Sequence, residues 1–158
     1  MKLREMLIVS VIGAAAIASA CSSQAGIAPV NTDANGFAVR GYDTVAFFAD
    51  NATIQGSPAF EYVWKGAKWA FANAENLEKF KRDPEAFAPQ FGGYCSYAVS
   101  HGYTADGDPN TFKIVDGKLY LNYNEKAKAA WEAEQEKLIK EGEKNWEGFQ
   151  TKKPEHKK

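Results

Sequence analysis

The sequence predicts an α+β fold in one small domain, built from antiparallel hairpins, short helices and a C-terminal helix packed on the core. Two observations place the hairpins: Lys65-Gly66 and Asp116-Gly117 each sit between runs of alternating apolar residues, as hairpin turns do. A third places the helices, because Asn73 and Asn124 stand before helical apolar spacing, where a side chain can cap the first turn.

Taken in order, residues 1–20 carry Lys2 and Arg4, an apolar run from Met6 to Ala18, and small residues before Cys21. That is the layout of an export signal, and the run is shorter than the roughly 18 apolar residues of a spanning helix. Residues 21–36, rich in Ser, Ala, Gly, Pro and Asn, are expected to form a flexible tether. Phe37 to Phe48 is rich in Val, Phe and Tyr and predicts a strand interrupted by a turn at Gly41-Tyr42-Asp43. Phe60, Tyr62 and Trp64, then Trp69 and Phe71, give the first hairpin one aromatic face. A short helix follows, with Leu77 and Phe80 on one side, and stops at Asp83-Pro84. Phe87 and Phe91 return the chain over the core.

Gly92-Gly93 and Gly102 bracket a predicted helix over Tyr94–Ser100. Thr111–Val115 and Lys118–Asn122 form the second hairpin. Residues 124–150 predict one long helix docked through Ala127, Trp131, Leu138, Gly142 and Trp146. Residues 151–158, which include His156, are polar and expected to be disordered.

Function classes narrow quickly. The formal net charge is −1 over 158 residues, so no electrostatic case exists for nucleic acid. No Ser-His-Asp arrangement, phosphate-cradling glycine loop or pair of catalytic carboxylates stands out, and the acidic loop at Asp106 and Asp108 is too short to be a calcium loop. Two cysteines are present, and only Cys95 lies in the folded region. If Cys21 is lipidated, Cys95 has no disulfide partner.

Cys95 falls in the first turn of its predicted helix, where the helix N-terminus favours a thiolate, an anion or a soft metal. The alternative is a small apolar side chain packed beside Val99. His101 would complete a cysteine–imidazole pair suited to copper or zinc. Six helical positions turn it by about 600°, some 120° away from Cys95, so the pairing needs an early helix end. Asp43 either bonds its own turn backbone or reaches the Cys95 loop as a ligand.

Gly41-Tyr42-Asp43, Phe91-Gly92-Gly93-Tyr94-Cys95-Ser96-Tyr97-Ala98 and Lys113 to Tyr123 together resemble the bacterial YHS-domain proteins, distant relatives of metal-binding treble-clef domains. The resemblance runs from about Phe37 to Phe149, with the domain proper at 37–123 and a helical extension at 124–150. It implies ligand binding around Gly92, Gly93, Tyr94, Cys95 and Asp43, and a link to metals, copper in particular, through Cys95 and His101. The metal-binding relatives' cysteines correspond to Ala46, Ala72 and Asn76 here. Ala18-Ser19-Ala20-Cys21 resembles a lipobox, which implies acylation of Cys21, a membrane tether and, with Ser22 next, the outer membrane of the envelope. The resulting expectation is a non-enzymatic, envelope-tethered module that binds a small ligand or copper. The alternatives are a lipoprotein that only holds a protein partner and a thiol-based peroxide-reducing enzyme.

Overall fold

The computed structural model describes residues 26–151, which leaves Cys21, the predicted export signal and the last seven residues, His156 included, outside the described residues. The architecture is α+β, with two antiparallel two-stranded hairpins, several short helices and a C-terminal helix packed on the core.

The first half opens with a 3₁₀ turn at Val39–Gly41 and helix α1 (Thr44–Ala49). Strands β1 (Ser57–Trp64) and β2 (Ala67–Phe71) and helix α2 (Ala74–Arg82) follow. A linking helix α3 (Pro84–Phe87) leads to a second 3₁₀ turn at Gln90–Gly93 and helix α4 (Ser96–Ser100). Strands β3 (Asp108–Val115) and β4 (Lys118–Asn122), then helices α5 (Glu125–Ala133) and α6 (Gln135–Thr151), complete the chain. The order of turn, short helix, hairpin and Asn-capped helix thus runs twice.

Both hairpin turns take the conformation their residues favour. Lys65 and Gly66 (φ 49° and 75°) and Asp116 and Gly117 (φ 50° and 75°) place both central residues in the left-handed region, as a type I′ turn requires. Asn73 and Asn124 cap α2 and α5 through bonds from the N–H groups of Asn76 and Ala127.

Three expectations are corrected. Phe37–Phe48 is not a strand: Asp43 caps α1, and Val39 and Arg40 turn left-handed (φ 51° and 53°). Only single bridges such as Phe37 to Lys68 remain there, so capping overrides the strand preference of Val and Phe. The second helix starts at Ser96 rather than Tyr94, because Phe91 and Gly92 are also left-handed and put Cys95 at the N-cap. The terminal helix is broken at Glu134 (φ −129°, ψ 36°), although its stripe docks as expected, with Trp131, Leu138 and Gly142 buried.

Two apolar clusters fill the interior. One gathers Val45, Phe47, Trp69, Phe71 and Phe80 with Leu119 and Leu121 of β4, and the other gathers Phe91, Val99, Tyr120, Trp131 and Leu138. Strand alternation explains the split, since Leu119 and Leu121 face the first half while Tyr120 faces the second.

Candidate functional site: a filled carboxylate cluster and a cleft over Cys95

Asp43 has no exposed surface and accepts four hydrogen bonds. Oδ1 takes the N–H groups of Val45 (2.9 Å) and Ala46 (3.2 Å), while Oδ2 takes Ala72 N–H and Asn76 Nδ2, both at 2.8 Å. A buried carboxylate is tolerated only when so met. The local turn bonds match one reading of Asp43, and the bonds to Ala72 and Asn76 go beyond it. Ala46, Ala72 and Asn76 therefore converge on one carboxylate.

Cys95 is 1% exposed at the N-cap of α4, with Sγ 3.8 Å from Asn122 Oδ1. The expected first-turn position is corrected to the N-cap, and the burial matches the alternative of a packed side chain. Asn122 also accepts Tyr97 N–H at 3.0 Å, and because that group only donates, the amide oxygen must face it. Asn122 Nδ2 is left buried without an acceptor among the described residues.

Above Cys95 opens a cleft of about 320 Å³, lined by Tyr97, Ala98, Tyr103, Tyr123, Ala127 and Ala130, with Lys126 beside them. Tyr103 and Tyr123 are 52% and 56% exposed, unusual for such large side chains. Sequence reasoning missed both tyrosines, Asn122 and Lys126. The one hint was Asn122, a polar residue at a strand end whose alternation calls for an apolar one.

The other anticipated site residues lie elsewhere. His101 caps the C-terminus of α4, its Nδ1 2.7 Å from Tyr97 O and its ring 4.2 Å from the Tyr97 ring. It does not line the cleft. Gly92 lets the N-terminal segment approach, since a Cβ there would lie 2.3 Å from Pro29 O. Gly93 turns the chain at φ 81°, and Tyr94 packs on Trp146 with rings 5.8 Å apart. Burial, helped by Asp106, pushes the Tyr94 phenol above its usual range.

A resident copper ion does not fit this donor set. Cys95 is the only soft donor at the cleft, the carboxylate of Asp43 is spent on four N–H groups, and His101 is turned to Tyr97. No group of three His, Cys, Asp or Glu comes together among the described residues. No family model, curated protein or solved structure matches the chain.

Proposed function

We propose that this chain is a YHS-type, non-catalytic binding module, tethered to the bacterial envelope through a lipid on Cys21, that takes a small, largely apolar ligand in the cleft over Cys95. The observation that carries it is the cleft itself. Its volume of about 320 Å³ is at the lower end of the roughly 300–1,000 Å³ typical of small-molecule sites, and its walls are alanine and tyrosine with few polar groups. The convergence of Ala46, Ala72 and Asn76 on Asp43 supports the YHS resemblance, and the Ala18-Ser19-Ala20-Cys21 junction supports the tether. A peroxide-reducing role would need a thiol open to oxidant, which a 1% exposed Cys95 is not.

The exposed pair Tyr103 and Tyr123 favours one second reading, a partner protein seated on the same face. Titration of the full chain with 1-anilinonaphthalene-8-sulfonate separates the two. Ligand binding predicts saturable one-to-one fluorescence enhancement, abolished by Ala127→Trp, which fills the cleft. No enhancement, or the same enhancement in the variant, would overturn it.

A further inference from the structure

The two halves agree residue by residue as well as element by element. Gly41-Tyr42-Asp43-Thr44 answers to Gly93-Tyr94-Cys95-Ser96, and Ala46, Gly56, Gly66 and Asn73 answer to Ala98, Gly107, Gly117 and Asn124. Asp43 N–H bonds to Ile54 O at 2.8 Å, and Cys95 N–H bonds to Ala105 O at 2.8 Å. Tyr42 bridges to Gln55 as Tyr94 does to Asp106. A Cβ on Gly56 would meet Ala70 at 2.5 Å, and one on Gly107 would meet Leu121, the residue in Ala70's place, at 2.8 Å. Trp69 and Phe80 stack at 4.9 Å and 32°, and Tyr120 and Trp131 at 5.1 Å and 38°. Even the orphan hydroxyls correspond, for Thr44 Oγ1 and Ser96 Oγ are both buried without a partner among the described residues.

This match pairs the two sites. Asp43, Ala46, Ala72 and Asn76 of the filled cluster stand where Cys95, Ala98, Tyr123 and Ala127 line the cleft. In the second half the carboxylate and the amide are gone, and space is left. Asn122 has taken over Tyr97 N–H, but no side chain among the described residues accepts from the N–H groups of Ala98 and Tyr123 as Asp43 does from those of Ala46 and Ala72. Ala98 and Tyr123 thus carry the counterparts of two donors that hold the Asp43 carboxylate. Lys126 adds a positive charge to the lining.

We propose that the domain is an internal duplication and that the Cys95 cleft takes a small organic carboxylate, whose carboxylate group occupies the place filled in the first half by the Asp43 side chain. This rests on the ligand-binding reading and names its ligand class. The apolar remainder of the ligand lies against Tyr103, Tyr123 and Ala127. An amide N–H bonded to a carboxylate gives a charge-assisted hydrogen bond, so a neutral analogue of the same shape should bind less well.

The test is an NMR titration of ¹⁵N-labelled full chain with phenylacetate and, separately, phenylacetamide. Phenylacetate should shift the Ala98 and Tyr123 amide signals and bind roughly tenfold or more tightly than the amide. Lys126→Glu should weaken it by about tenfold, and Cys95→Asp/Ala127→Asn, which rebuilds the filled cluster, should abolish it. Equal binding of both probes without those amide shifts would overturn the carboxylate assignment while leaving a ligand cleft. Binding of neither probe would overturn it too, and the anilinonaphthalene titration then reports whether the ligand-binding reading survives. Should the double variant not fold, the amide shifts and the Lys126→Glu response still decide.

Discussion

A carboxylate shut away from water must be met by donors, and Asp43 is met by four. Asp43→Ala removes a helix cap and strands Ala72 N–H and the Asn76 amide, so a loss of about 3 kcal/mol is expected in urea unfolding. Asn76→Ala, which leaves the cap in place, should cost clearly less. Cys95 is expected to resist iodoacetamide in the folded protein and to react once denaturant opens it, given its 1% exposure. Labelling at the same rate with and without denaturant would refute that burial. Asp43's local bonds were legible in the sequence, because a turn aspartate reaches N–H groups two or three residues on. Its bonds to Ala72 and Asn76 were not, since they join positions that only folding brings together. The same limit hid Asn122, whose partners Cys95 and Tyr97 lie on another element.

Among the elements, both hairpins were legible because type I′ turns demand particular residues at two adjacent positions. The short helices were harder. α1 contains six residues, too few for periodicity to outweigh the strand preference of Val, Phe and Tyr, whereas the glycines flanking α4 revealed that helix but not its start at Ser96. The break at Glu134 was invisible because the stripe through Trp131, Leu138 and Gly142 continues across it. Gly142 makes α6 testable. A Cβ there would sit 2.7 Å from Phe91 Cζ, so Gly142→Ala should lower stability by about 1–3 kcal/mol through overpacking, despite the better helix propensity of alanine. An unchanged or higher melting temperature would show that α6 can shift away from Phe91.

At the scale of the whole molecule, the two clusters meet through β4, which sends Leu119 and Leu121 into one and Tyr120 into the other. Burial first, then Glu143 and Asp116, push the Tyr120 phenol from 10.0 up to about 12. The folded state therefore holds this proton more tightly than the unfolded chain does. Stability is unaffected by this group below pH 10 and should fall as pH rises from 10 through 12. Chemical denaturation across that range should show the decline, and Tyr120→Phe should flatten it; an equal decline in the variant would assign it to other groups. The fold class was legible from local turns and caps. The doubling of the element order was not, because the residues shared between the halves are scattered turn and cap positions, and their likeness emerges only from which atoms meet.

A molecule with one site filled by its own side chains and a matching site left open has divided its evolutionary constraints. Substitutions at Asp43, Ala72 or Asn76 disturb bonds that hold the shape, so selection on folding should keep those positions fixed in orthologues. Tyr103, Lys126, Ala127 and Ala130 carry little of the core, and under the proposed ligand-binding function their drift should track what each lineage binds. Comparing substitution rates at the two sets across orthologous sequences would measure that asymmetry; equal rates would mean that both halves answer to the same pressure.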